Sequence, residues 1–485
     1  MTQQELEKYL WGAATALRGT IDAGDYKQYI FPLMFFKRIS DVYDEEFENA
    51  LAESDNDLEF AAFAENHHFQ IPKGAHWNDV RETTVNIGLA LQNAMRAIEQ
   101  ANPDTLYGIF GDASWTNKER LSDEMLTNLI EHYSQHKLNL SNVPDDKLGN
   151  AYEYLIKEFA DDSGHTAAEF YTNRTVVKLM TMIMDPQPGE SVYDPTCGSG
   201  GLLLNCALHL KDEGKEYRTL KLYGQEINLL TSAIARMNMF MHGIEEFDIV
   251  RGDTLANPGL LENDELKKFN VILANPPYSI KSWDRKSFES DPYGRNLWGT
   301  PPQGCADYAF QQHIQKSLDL DNGRSISLWP HGILFRDAET EMRRKMIEGD
   351  FVECVIGLGP NLFYNSSMVS CLLIINNNKS VERKGKIAFI QAVNEVRKEK
   401  TMSYLDNEHI QKILNTYTKF TSADGFSKIV DNTEVLKDKN VRLSVELYIK
   451  DSIINEKLID ETIDQWEKSF LSLKKTMNTL LEWEK

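Results

Sequence analysis

The chain has 485 residues, against roughly 100–200 for a usual domain, so about two to four domains are expected. With 41% hydrophobic and 10% aromatic residues it carries enough apolar material for large cores, which excludes disorder throughout. Its 74 acidic against 52 basic residues leave a formal charge of −22; this argues against a free-standing nucleic-acid binder, which needs positive charge to neutralise phosphates. A chain this acidic can still work on DNA where a partner supplies the basic surface.

From Glu5 to about Lys157 the pattern is helical. Leu6, Leu10, Ala13 and Leu17 recur at three- and four-residue spacing and share one helix face, and Gly19 and Asp22 then break the pattern. A richer apolar helix is expected after Pro32, with Leu33, Phe36, Ile39 and Tyr43 on one face and Lys37, Arg38 and Asp41 away from it. Val85–Ile98 and Asp123–His132 read the same way, so 1–160 is expected to be an all-helical domain.

Between about Gly164 and Val393 the style changes. Short apolar runs such as Ser191-Val192-Tyr193, Leu220–Tyr223, Asn270–Ala274, Ser325–Trp329 and Val352–Ile356 alternate with helical stretches, which implies βαβ units, an α/β fold and a parallel sheet with helices on both faces. Met368–Ile375 and Lys386–Ala392 look like an antiparallel addition at the sheet edge. A catalytic domain over 161–400 is expected. From about Arg397 the text is polar and irregular until about residue 451. It then becomes a helix in which Ile459, Ile463, Trp466, Phe470, Leu473, Met477 and Leu480 form an a/d seam, read either as a helix packed on its own domain or as a docking helix for a partner, within a C-terminal region of 401–485.

The five cysteines (Cys197, Cys206, Cys305, Cys354 and Cys371) are odd in number and widely spaced, with no C-x-x-C pair. Neither a disulfide framework nor a structural zinc site is expected, and a reducing cytoplasm is the simplest setting. The first residues carry acids where a signal peptide has its basic region, and no apolar run approaches the ~20 residues that span a bilayer.

Chemistry concentrates at strand tips. Asp194-Pro195-Thr196-Cys197-Gly198-Ser199-Gly200-Gly201 follows an expected strand and opens an expected helix, so a ligand can approach the backbone closely at the positive end of the helix dipole. The spacing is not that of a dinucleotide fingerprint, and Asp194 would repel a pyrophosphate; a ligand with an ammonium group fits better. Glu226 ends the next strand, about 25 residues on, where an acid can accept both ribose hydroxyls of a nucleoside; the alternative is an ordinary charge at a helix start. Asp253, after the third strand, is placed to accept from an adenine amino group or to cap a helix.

The decisive element is Val271-Ile272-Leu273-Ala274-Asn275-Pro276-Pro277-Tyr278. Four apolar residues make a buried strand and two prolines forbid its continuation. The tip offers two acceptors, the Asn275 amide oxygen and the Pro276 carbonyl. An amine conjugated to a heteroaromatic ring is a poor nucleophile because its lone pair is delocalised, and two acceptors on its hydrogens favour a localised lone pair. Tyr278 can stack on a base flipped out of the duplex.

In these motifs the sequence resembles the modification (M) subunits of type I restriction–modification systems, which are S-adenosylmethionine-dependent N6-adenine DNA methyltransferases with a Rossmann-like catalytic domain. The likeness also takes in LRGTIDAGDYKQYIFPLMFFKRISD, Glu169-Phe170-Tyr171-Thr172, ADYAFQQHI from Ala306, PHGILFR from Pro330 and NLFYNSS from Asn361. It implies that Glu169, Phe170, Tyr171, Thr172, Asn173 and Arg174 lie around the methionine end of the cofactor. It further implies that Asp194, Thr196, Gly198, Ser199, Gly200 and Gly201 bind its amino-acid and sulfonium region, with Glu226 on the ribose and Asp253 nearby. Asn275, Pro276, Pro277 and Tyr278 would hold the target adenine, with Phe363 or Tyr364 as a second stacking face. Ala168 and Asn173 stand where the family usually has glycine and proline. No metal-ligand pattern and no nucleophilic role for Cys197 are expected. Implied partners are double-stranded DNA, a specificity (S) subunit that reads the sequence, a second copy of this chain and a restriction (R) motor subunit, since no G-x-x-x-x-G-K-[ST] segment is present. A membrane is not among them. Rival readings are an N-methyltransferase for protein glutamine or an RNA base, and a non-catalytic cofactor-binding assembly subunit.

Overall fold

The computed structural model describes residues 1–18, 20–162, 172–362, 368–399, 402–449, 466, 469 and 470. The stripe of Leu6, Leu10 and Ala13 lies on α1 (Gln3–Thr15), where a capping box of Thr2 and Glu5 satisfies the first orphan amides. The apolar helix α2 spans Lys27–Glu53, so it starts before Pro32 rather than after it. Pro32 removes one ladder hydrogen bond, but Tyr29, Ile30 and Phe31 are buried, and their packing holds the extra turn. The side of α2 expected to face water is buried too. Lys37 forms an ion pair with Asp41, and Arg38 donates to the carbonyls of Leu138 and Val143 and to Asp145. Over Tyr29–Val42 this helix has no solvent face, so its charges there persist only as paired groups. Around it pack α3 (Ile87–Ala101), α4 (Asp123–Tyr133) and α5 (Asp145–Asp162).

After α6 (Arg174–Met184) the chain alternates β1 (Ser191–Asp194), α7 (Gly201–Asp212), β2 (Lys221–Glu226), α8 (Leu229–Met241), β3 (Phe247–Arg251), β4 (Val271–Ala274), α9 (Asp307–Ser317) and β5 (Arg324–Pro330). There follow β6 (Val352–Leu358), β7 (Ser370–Asn376), β8 (Lys386–Ala392), α10 (Asn407–Lys419) and β9 (Ser427–Asp431). One nine-stranded sheet has the order β9-β8-β6-β7-β5-β4-β1-β2-β3. Its β3-β2-β1-β4-β5 part is parallel. Apolar layers cover both faces, which is why β4 reads as an unbroken apolar run.

Two expectations are corrected here. The run at 368–375 is antiparallel but lies inside the sheet, between β5 and β6. Lys386–Ala392 pairs parallel to β6 and does not pair with β7. The segment after Arg397 is not irregular: α10 packs on α6 and β8, and β9 closes the sheet antiparallel to β8. A division at residue 400 therefore cuts through the sheet. Strand partners are set by apolar contacts distant in sequence, so a polar-looking segment still supplies an edge strand. The bundle joins the sheet layer through α5 and α8: Ile234, Met237 and Met241 belong to the bundle's core, and the Tyr152 hydroxyl donates to Ile234 O at 3.2 Å. Of the expected C-terminal seam, only Trp466 and Phe470 are described. Both are exposed, with rings stacked 5.6 Å apart; the rest of the seam lies outside the described residues. No helix among the described residues is long and apolar enough to cross a membrane.

Candidate active site

Because β1 to β5 run parallel, their C-terminal ends share one edge of the sheet. From β1 the chain proceeds to β2 and β3 on one side and returns to β4 and β5 on the other. The crevice beside β1 is thus the switch point at which open α/β sheets bind ligands.

The glycine turn fills that crevice. Gly198 and Gly200 have φ of 55° and 78°, a region that side chains disfavour, and Gly200 immediately precedes α7. A β-carbon on Gly201 would sit 2.0 Å from Arg174 Nη1, so the turn lies directly against that guanidinium. Asp194 is 1% exposed; its Oδ1 accepts from Thr196 N at 3.0 Å. Burial pushes its pKa up from 3.8 to about 8, and the neighbouring Glu226 adds to the rise. Glu226 accepts from Gly198 N at 3.1 Å and Asn228 N at 2.8 Å, and burial raises its pKa as well. Two buried carboxyl groups bracket one turn, a setting that favours a cationic ligand.

On the other side, Asn275 follows β4 directly. Its Nδ2 donates to Thr172 Oγ1 at 3.0 Å, and its Oδ1 accepts from the Tyr278 hydroxyl. Burial raises the Tyr278 pKa further, so the hydroxyl stays a donor. Thr172, Arg174, Asp194, Thr196, Cys197, Gly198, Ser199, Gly201 and Asn275, with Leu202, line a single pocket. The glycine turn and the Asn-Pro-Pro-Tyr tip therefore face one space. Pro276 is buried and Pro277 exposed, so the turn presents one proline inward and one outward.

Other candidates fall elsewhere. Asn173 is not in the pocket lining: its Oδ1 caps α6 at Thr175 N, and its Nδ2 donates to the Leu362 and Ser403 carbonyls. A proline there would supply none of these bonds, which gives a structural reason for the asparagine. Gly200 turns toward Met239 and Ala235 rather than the pocket. Asp253 is exposed, and its Oδ1 accepts from Leu255 N and Ala256 N within a turn; no helix follows it, so it caps none. Glu169, Phe170, Tyr171, Phe363 and Tyr364 lie outside the described residues. The Cys197 thiol is buried and its pKa pushed well up, the opposite of an activated nucleophile.

Several contributors escaped the sequence reading. Ser279, with φ of 53°, is held by its amide donating to Asp307 Oδ1 at 2.7 Å. The fully buried Asp307 pairs with Arg336, which also binds Glu339 at 2.9 Å. These residues brace the turn that carries Tyr278, yet nothing local announces a partner 28 residues away. Arg295, 2% exposed, binds Asp291 and donates to the Thr254 and Leu255 carbonyls at 2.8 Å, tying the loop after β3 to the loop after β4. Ile227, right after Glu226, is 62% exposed, an exposure that its apolar side chain does not announce in the sequence.

Comparison with known proteins bears on this arrangement. Residues 143–457 match the N-6 DNA Methylase family model, and residues 6–133 match the HsdM N-terminal domain. The MjaVIII type I restriction enzyme methylase subunit of Methanocaldococcus jannaschii is 32% identical over 489 residues, covering 94% of this chain and 79% of that protein. The MpnII methylase subunit of Mycoplasma pneumoniae is 28% identical over 521 residues, covering 95% and 93%. The crystal structure of a type I restriction-modification methyltransferase subunit from Streptococcus thermophilus superposes with a TM-score of 0.79 at 30% identity, covering 93% of this chain and 100% of that one. These matches run along nearly the whole chain, and the chain belongs to the N-6 DNA methylase family as a type I restriction–modification methylase subunit, an adenine-specific DNA methyltransferase.

Proposed function

We propose that the pocket takes S-adenosylmethionine and that the Asn275–Tyr278 tip receives an adenine flipped out of double-stranded DNA. The observation that carries this reading is the shared lining: Asn275 faces the same space as Asp194, Gly198 and Gly201. The donor set fits the cofactor. A buried Asp194 suits an ammonium group, Glu226 suits ribose hydroxyls, Arg174 suits a carboxylate, and the exposed Ile227 offers an apolar face to a purine. When bound, the cofactor supplies a methyl group on a sulfonium, already a good leaving group.

The residues of this chain then position and polarise. Asn275 Oδ1 and the Pro276 carbonyl accept the hydrogens of the adenine amine and localise its lone pair. Because the Tyr278 hydroxyl occupies Asn275 Oδ1 in this structure, the incoming amine takes over an acceptor already oriented by that bond and by Thr172. Proximity and electrostatics at the amine supply the catalysis, without a covalent enzyme intermediate.

Sequence choice, in this reading, belongs to a separate specificity subunit, with two copies of this chain and a restriction motor subunit completing a cytoplasmic complex. The net charge of −22 supports a partner that supplies basic surface. A glutamine or RNA methyltransferase would not need the long helical bundle, and a non-catalytic subunit would not need the intact tip. Incubating the purified chain, with and without the specificity subunit, with labelled cofactor and adenine-containing DNA tests the proposal. Label in N6-methyladenine is expected; label in protein or RNA alone, or none with the partner present, overturns it.

A further inference from the structure

The helical bundle reaches the walls of the pocket through Glu153. Glu153 lies on α5, the last bundle helix, and its side chain is 17% exposed. One carboxylate oxygen forms an ion pair with Arg174 Nη2. The other accepts from Asn238 Nδ2 at 2.8 Å, and the same Nδ2 donates to Ser199 O at 3.0 Å. Glu153 therefore touches both walls of the pocket: Arg174 directly, and the glycine turn through the fully buried Asn238. On its other edge the guanidinium rests on Gly201, where a β-carbon would meet Nη1 at 2.0 Å. A guanidinium carries five donors in a rigid fork, so one edge can be fixed by Glu153 while others meet a ligand.

We propose that Glu153 is a positioning residue for the cofactor's carboxylate: it holds Arg174 in the pocket, so that affinity for the amino-acid end of the cofactor depends on the seating of the helical bundle. This rests on the reading of the pocket as the cofactor's. The bundle, otherwise remote from the chemistry, thereby acts on cofactor affinity through one ion pair, and a partner that shifts α5 would change that affinity without touching the pocket.

The test compares two ligands that differ by one group, S-adenosylmethionine and its decarboxylated form, titrated against the full-length chain. The wild-type protein is expected to prefer the carboxylated cofactor by about tenfold or more, the scale of a charge-assisted hydrogen bond. Glu153→Ala should remove most of that preference by weakening S-adenosylmethionine alone. Glu153→Gln, which keeps a carbonyl oxygen, should restore part of it. In an Arg174→Ala background, Glu153→Ala should add nothing, and thermal melting of each variant monitors folding. An unchanged preference in both Glu153 variants, or equal weakening of both ligands, overturns the proposal, as does a wild type that binds both ligands equally. A wild type that binds neither ligand overturns the cofactor reading and this inference with it.

Discussion

Asp194→Asn isolates the charge of the glycine turn. The replacement is nearly isosteric, and its carbonyl oxygen can keep the bond from Thr196 N. The wild-type carboxyl ordinarily has a pKa of 3.8 and is pushed to about 8 by burial in the fold. Between those values the folded chain binds a proton that the unfolded chain has lost, so this group lowers stability as pH rises through the window. The loss is complete above about pH 8. At 1.36 kcal/mol per pH unit, the ceiling is about 4 kcal/mol at pH 7 and about 6 kcal/mol above pH 8. Water entering the pocket reduces both figures. The Asp194→Asn variant should match the wild type near pH 4 and gain stability progressively up to pH 8, read from urea midpoints at pH 4, 6 and 8. In the wild type, cofactor binding should release a proton near pH 7, seen as a dependence of calorimetric heat on buffer ionisation enthalpy. The variant should bind more weakly and release none. Urea midpoints that differ by the same amount at all three pH values would refute the reasoning, because the carboxyl would then be ionised in the folded chain throughout.

Asn275→Ala removes the acceptor and should lower methyl transfer by about 10³-fold, the scale of losing one preorganised catalytic group, with cofactor Kd unchanged in equilibrium dialysis. Gly201→Ala places a methyl group where the Arg174 guanidinium lies; cofactor Kd should rise about tenfold, while the melting temperature moves little because a flexible side-chain end can yield. Asp307→Ala leaves Arg336 with Glu339 alone and frees Ser279 N, at a cost of about 3 kcal/mol in chemical denaturation. Deleting the residues after 451 should weaken binding to the specificity subunit in a pull-down, with cofactor affinity retained.

The sequence by itself determined what is local. An apolar run followed by Gly-x-Gly-Gly or Asn-Pro-Pro-Tyr specifies a strand that stops and a turn with open backbone. Parallel strands place such turns on one edge, so Asp194, Gly198, Glu226 and Asn275 were legible as neighbours on that edge. The seam of α1 and the existence of α3 and α4 were legible for the same reason, since helix periodicity is a property of neighbours, whereas α3 starts and ends later than its apolar pattern suggested.

Only the tertiary structure decided what depends on distant partners. It put β7 inside the sheet and β9 at its edge. It turned Lys37, Arg38 and Asp41 inward as paired charges, took Asn173 away from the pocket lining, and brought Glu153 to Arg174 and Asp307 to Ser279 and Arg336. Burial is settled by which elements meet, and a charged side chain reads as a solvated face until a partner far along the chain removes the water from it.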